Sequence, residues 1–543
     1  MKNAVIESAV YSTRWCGTDP YPLAVAPCSA WLSTLSRLTP PLTAGLTPDA
    51  SMKLVTALVA ELQAPGAAGL TAYELEQFVA DRGREVQRQM VQDHLDLRAA
   101  REQETAREHE RAVAGPDGIP RTRLETGHGR LLATLFGTVQ VTRCAWRRPG
   151  AGNFYPADAA LSLPAPRHSH TLARLAVLEA ARGSFEAAHA AITSRCGPVI
   201  GKRQIEQAVV NAARDITAFY AARVPMPCTA STLLVISADA KGIVMRPGAL
   251  RAATAKAAAR QGKMRTRLAA GEKPNRKRMA TLACVYDAEP APRRPHDVIA
   301  PPGGRHGCRK PRPGPKTKAR WLAGSVEHDP AEVIAAAFDQ AEARDPAHRR
   351  RWVVLVDGAE HQLDLIRAQA ARRGVTISIL TDLIHVLEYI WKAAWSLHAA
   401  GDPAAEDWVA ARALTVLAGN SAQVAAGITA EADAAGLTAS QRHGADACVH
   451  YLTSKQQFLR YDQALAAGWP IATGVIEGAC RHLIGDRLDI GGARWGLDGA
   501  EAILTLRAMI SNGDFEEYWR FHLAREHQRL YPGTAQGHYT LGA

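Results

Sequence analysis

The chain has 543 residues, 47% of them hydrophobic and 22% charged, with a formal net charge of +12. That length exceeds one ordinary core and predicts roughly two to four domains, and the composition excludes wholesale disorder. No stretch approaches the ~18 consecutive apolar residues of a membrane helix, and the nine Cys contain no CxxC pair, which disfavours a disulfide frame or a zinc ribbon.

Residues 1–50 are rich in Pro, Ser and Thr and are expected to form a loosely ordered tail. Their first fifteen residues lack an apolar core after Lys2, which argues against a signal peptide and for a cytoplasmic protein. Residues 51–160 are expected to be mainly helical to about Arg111, followed by a strand pair. That pair is LLATLFGTVQVTRCAWRRPG, which alternates with period two across Gly137. Residues 161–225 open on the Pro-rich link Leu163–Pro166 and continue as a helical block from His170. Within it, SFEAAHAAITSRCGPVIGKRQIEQAVVNAARD has the form of two helices separated by Cys196-Gly197-Pro198. A helix-turn-helix places basic and polar residues at the start of its second helix, where Lys202, Arg203 and Gln204 stand here. An ordinary antiparallel helix pair explains the same pattern.

Residues 226–385 alternate strand and helix, the mark of a mixed α/β sheet flanked by helices. Strands are predicted at Leu233–Ser237, Thr281–Pro290, Trp352–Val356 and Val375–Leu380, with helices at Ala331–Ala343 and Leu363–Arg373. A basic insertion spans 246–320, with twenty Lys or Arg against four acids (Glu272, Asp287, Glu289, Asp297). Such a run is often no more than a solvated face, but its density and its place between two acidic strands favour phosphate-backbone contact. It includes Arg276, Lys277 and Arg278, and its Pro/Gly/Arg-rich part, 292–318, is expected to be loop. Residues 386–465 read as all-helical, 466–525 as a further helical unit, and 526–543 as a polar tail.

Two turns carry the chemistry. LLVISADAKG and WVVLVDGAEH each run apolar, then stop on an acid, Asp239 and Asp357. A strand ending on a buried carboxylate is costly unless it opens into a cleft or meets a cation. Phosphoryl chemistry at paired cations needs about three converging carboxylates. Glu477 in TGVIEGACRHLIGDRL is the third candidate, sharing a helical face with Arg481 and Ile484. In ILTDLIHVLEYIWKAAW, Asp382 reads most simply as a helix N-cap, with His385 on the first turn. His385 is also placed to orient a metal-bound carboxylate.

Together VLVDGAEHQLDLI, LTDLIHVLEYIWKAAW and IEGACRHLIGDRLDIGGARWGLDGAEAILTLRAMISNGDFEEYW resemble bacterial insertion-sequence transposases of the ISKra group, allied to the Mutator-like DDE transposases. The resemblance spans about Leu131 to Trp519. It implies an RNase H-like catalytic core carrying a helical insertion at 386–465, behind a mainly helical N-terminal DNA-binding region. It also implies a DDE triad of Asp239, Asp357 and Glu477 holding Mg2+ or Mn2+, two ions in all. Asp382 and His385 match the (C/D)xxH element, and Asp382 stands as the alternative second acid. The implied activity is cutting at the terminal inverted repeats of an element and transfer of strands to target DNA, by a homodimer or higher oligomer. Arg481, Arg487, Arg494 and Trp495 would hold DNA near the site. The rival expectations are an RNase H-like nuclease without strand transfer and a non-catalytic DNA-binding protein derived from a transposase.

Overall fold

The computed structural model describes residues 49–108, 112–223, 231–260, 276–304 and 310–533. The tail expected at 1–50 lies almost wholly outside these residues, as do two stretches of the basic insertion, 261–275 and 305–309. The described chain forms two compact units. One is Ala221–Gly513; the other is the preceding chain through Tyr220 together with residues from Asp514 onward. No helix among the described residues is long and apolar enough to cross a membrane.

The unit containing Tyr220 begins with helices α1 (Asp49–Gln63) and α2 (Ala72–Glu108), which pack on each other. A two-residue pair follows, β1 (Val113–Ala114) with β2 (Pro120–Arg121). The expected hairpin comes next, β3 (Arg123–Thr134) with β4 (Gly137–Arg147), turning at Thr134–Gly137. Its alternation works as predicted, because Leu132, Val139 and Val141 face inward against Leu95 of α2. Three helices then pack together: α3 (His170–Arg182), α4 (Phe185–Cys196) and α5 (Lys202–Ala213). Ser169 and Ser184 cap the first two by accepting from Leu172 N and Ala187 N. Gly197 ends α4 at φ +77, a conformation that a Cβ would strain. The unit closes on a helix at Phe515–Leu530, so ordered structure runs past residue 525 into the stretch expected to be tail. Tyr518 of that helix is fully buried and donates to Ala212 O, which holds the helix down.

The other unit is built on a five-stranded mixed sheet, giving the α/β architecture expected from the alternation. Its strands are β5 (Leu233–Val244), β6 (Lys277–Ala288), β7 (Thr317–Ser325), β8 (Trp352–Val356) and β9 (Ile377–Thr381), ordered β7-β6-β5-β8-β9. β5 pairs antiparallel with β6 and β6 with β7, while β5, β8 and β9 run parallel. All five residues of β8 are buried, as a central parallel strand covered on both faces requires. Two sequence expectations fail here. β5 does not end near Asp239 but continues to Val244, because β6 pairs with it along its whole length. Thr317–Ser325, whose start was expected to be loop, is the edge strand β7; its Trp321 and Leu322 are buried.

Helices α6 (Pro330–Arg344), α7 (Glu360–Arg373) and α8 (Leu383–Leu397) alternate with or follow the strands. The all-helical stretch appears as expected, with α9 (Ala404–Leu417), α10 (Ser421–Ala434) and α11 (His443–Ser454) as its longer members. α8 packs on α11, stacking Tyr389 on Tyr451 at 4.1 Å between ring centroids. The chain then returns to the sheet through α12 (Gly474–Ala479), which meets β5 and β6, and α13 (Leu497–Ser511), which meets β7.

Candidate metal centre

The two parallel ladders bring three aspartates to one level. β5 pairs with β8 in a register that matches Ser237 with Leu355, and β8 pairs with β9 so that Val356 matches Thr381. Continued to the strand ends, these registers set Asp239 beside Asp357 and Asp357 beside Asp382. Neighbouring strands lie about 4.8 Å apart, so the three acids share one edge of the sheet. The β5–β8 ladder ends at Ser237, two residues before Asp239, and β5 then continues with β6, while Asp357 and Asp382 each directly follow their strand.

Each acid is held differently. Asp239 is half-buried; its Oδ2 accepts from the Cys480 thiol at 3.2 Å and its Oδ1 from Ala240 N at 2.6 Å. The Cys480 thiol is pushed up strongly, first by burial and then by the Asp239 charge. Asp357 is also half-buried; its Oδ1 accepts from Ala359 N at 2.9 Å, and its backbone carbonyl accepts from Tyr451 Oη at 3.0 Å. Gly358, at φ +94, turns the chain immediately after it.

Asp382 is 1% exposed and, as read from the sequence, caps α8: its Oδ1 accepts from Ile384 N at 3.2 Å. The same oxygen accepts from Thr473 N at 3.0 Å, and Oδ2 accepts from Thr473 Oγ1 at 2.7 Å. Thr473 is the residue that precedes α12, so this buried bond ties the helix bearing Glu477 to the end of β9. The partner of Thr473 stands 91 positions away, beyond any local sequence signal. Burial raises the pKa of Asp382 against these hydrogen bonds, which pull it down.

Ligand atoms of Asp382, His385 and Glu477 all lie within 4.8 Å of one another. Glu477 is exposed as a residue, yet the protein packed beneath its carboxylate raises its pKa, and Asp382 and Asp239 raise it further. Among the described residues, buried His385 Nδ1 has no hydrogen-bond partner and stands 3.8 Å from Glu388. A concentration of carboxylates that raises its own members, beside an orphaned imidazole nitrogen, is a donor set that a divalent cation would satisfy. Its oxygens are hard ligands of the kind Mg2+ and Mn2+ take. Asp357 is outside this close group but level with its neighbours on both sides.

A second group that could hold a cation, Asp215, His522 and Glu526, lies in the other unit. There Asp215 already accepts both terminal nitrogens of Arg529 and His522 Nδ1, each at 2.7 Å. That carboxylate is satisfied as a buried ion pair, and a metal would have to displace Arg529.

The basic residues singled out in the sequence fall in several places. Lys202 and Arg203 are exposed at the start of α5, where Lys202 pairs with Glu186 at 2.9 Å. Arg276, Lys277 and Arg278 lie at the start of β6; Lys277 is 3.5 Å from Asp489, and Arg278 donates to Val326 O at 2.6 Å. Arg481 is exposed one turn beyond Glu477. Arg487 is buried, with its guanidinium over the Trp495 ring at 4.7 Å. Trp495 is buried too and donates to Leu488 O, while Arg494 beside it is exposed. Arg487 and Trp495 thus brace each other inside the unit. Among known proteins, neither a family model nor a curated sequence matches this chain.

Proposed function

We propose that the protein is a DDE-type transposase whose core is RNase H-like and whose carboxylates Asp239, Asp357 and Glu477 hold two divalent cations, Mg2+ or Mn2+. The observation that carries this reading is the shared level of Asp239, Asp357 and Asp382 on three adjacent strands, with Glu477 grouped beside the last of them. The mixed sheet, with its acids at one edge and a helical stretch between β9 and α12, supports the same reading. Asp357 is preferred over Asp382 as a ligand because of hydrogen-bond occupancy. Asp382 already accepts three hydrogen bonds in a buried setting, whereas Asp357 accepts one on its carboxylate. Asp382 is then the residue that positions Glu477 through Thr473.

Bound cations would supply a lowered pKa for the attacking water and charge stabilisation for the leaving oxygen. The chain's own part is to fix the carboxylates on rigid strands and bring phosphate to them. Arg481, one turn after Glu477, offers a guanidinium to a phosphate oxygen. Water attacks phosphorus in line at an element end, forming one P–O bond as the bond to the departing 3′-oxygen breaks. That freed 3′-hydroxyl then attacks a target phosphate in the same way, losing its proton to solvent as the target strand's own 3′-oxygen departs. Lys202 and Arg203 at the start of α5 would meet the terminal inverted repeats, and homodimerisation or a larger assembly would bring two ends together.

Incubating the full chain with DNA carrying the sequences that flank its gene on either side, a target plasmid and Mn2+ tests this. Joined end–target products are expected. Cleavage without joining would instead indicate a nuclease, and binding without either a DNA-binding protein.

A further inference from the structure

Beside Glu477 the catalytic unit opens a cleft of about 870 Å3. Three guanidinium groups reach its wall: Arg293, Arg320 and Arg481. Arg293 donates to Trp469 O at 2.8 Å while its buried Nε has no hydrogen-bond partner. Arg320 donates only to the backbone oxygen and hydroxyl of Ser511, at 3.3 and 3.0 Å. Among the described residues, none of the three forms an ion pair. Arg293 and Arg320, half-buried and bonded only to neutral groups among the described residues, leave charge that an anion would neutralise, and exposed Arg481 adds to it. Burial lowers the pKa of both Arg293 and Arg320, with Asp297 pulling Arg293 back in part. The acids in the lining are Glu477, at the metal centre, and Asp486.

The rest of the wall is apolar. Leu383, Ile384 and Leu387 from the start of α8, with Val475 from α12, line the same cleft. A duplex offers a protein its phosphates and groove edges and keeps its base faces stacked, so it has no use for an aliphatic wall. An unpaired strand exposes base faces on one side and phosphates on the other, and binds where apolar and cationic surfaces face each other.

Resting on the transposase reading, we infer that this cleft is the channel for one unpaired DNA strand at the catalytic centre. Its phosphates lie on Arg293, Arg320 and Arg481, and its bases lie against Ile384, Leu387 and Val475. The end bound here is therefore opened, with its strands separated next to the cut.

Binding of the full chain to a fluorescent single-stranded oligonucleotide and to the matching duplex, measured in EDTA across a salt series, tests the inference apart from catalysis. Each phosphate contact adds about 0.7 to the salt slope for a single strand. The Arg293→Gln/Arg320→Gln variant should lower the single-strand slope by about 1.4 and leave the duplex slope unchanged, and the paired Lys variant should restore it. An unchanged single-strand slope, or an equal fall for duplex, would overturn the inference. A measurement on the unaltered protein guards against misfolding of the variant: photo-crosslinking with an iodouracil-substituted single strand should map to Leu383–Leu387 or Val475, and crosslinks found only elsewhere would overturn it too. If these results hold while the wild type fails to cleave with Mg2+, the catalytic reading falls and the strand channel stands.

Discussion

At the scale of single residues, the most consequential contact is the pair of bonds from Thr473 to Asp382. A buried carboxylate stripped of a hydroxyl donor loses about 1–3 kcal/mol. Thr473→Val should therefore lower thermal stability by an amount in that range and weaken Mn2+ binding, because α12 loses one of its two bonds to Asp382. Thr473→Ser, which keeps the hydroxyl, should restore both, as calorimetry and Mn2+ titration would show. Glu102 makes a second residue-scale case, in the unit that carries the hairpin. Its carboxyl is raised to about 7, chiefly by burial, although Cys144 N donates to it at 3.0 Å. A carboxyl raised on folding contributes stability that is complete below its unfolded pKa and is lost as pH rises through the folded value. Wild type should thus lose stability relative to Glu102→Gln between about pH 4.5 and pH 7. A constant difference in melting temperature across that window would contradict this.

At the scale of elements, the ends of strands decide where the acids stand. Gly358 turns the chain at φ +94 directly after Asp357, a region that costs a side-chain-bearing residue about 1–2 kcal/mol. Gly358→Ala should destabilise the unit built on the five-stranded sheet by that amount in denaturant titrations and, on the proposed function, reduce cleavage further than the stability loss explains, since Asp357 moves with the turn. Much at this scale was legible in the sequence. Trp352–Val356 is the observed span of β8, because a fully apolar β-branched run has one good use in a covered sheet. The N-cap role of Asp382 was equally plain, being local to its own helix. What escaped was non-local. The strand was expected to stop on Asp239, yet Lys241 pairs with Ala280 and Gly242 with Met279, which carries β5 past it. Arg- and Pro-rich flanks hid β7 in the same way, since the apolar Trp321–Leu322 core of that strand is short. Arg487 and Trp495 looked like surface contacts because Arg and Trp are frequent at DNA interfaces. Their burial comes from mutual packing, which composition does not reveal.

At the scale of the whole molecule, the charge is divided between work and support. Some of the positive excess is consumed inside the fold. Buried Arg350 donates to Asp287 Oδ1 at 2.8 Å and to Leu233 O and Thr232 O, tying β5 to β6 at the end of the sheet away from Asp239. Breaking one partner of such a buried pair costs about 3–5 kcal/mol, so Arg350→Leu should lower the unfolding free energy by that amount without altering cation affinity at the acidic edge. Among the described residues Arg293, Arg320 and Arg481 form no ion pair, a distribution that would suit a polyanion partner. The proposed carboxylate set is tested most directly by cleavage of labelled inverted-repeat DNA by a panel of folded variants in Mn2+. Asp239→Ala, Asp357→Ala and Glu477→Ala should each abolish cutting while binding the DNA as wild type does. Retained cutting by Asp357→Ala, or by either of the other two, would contradict the account.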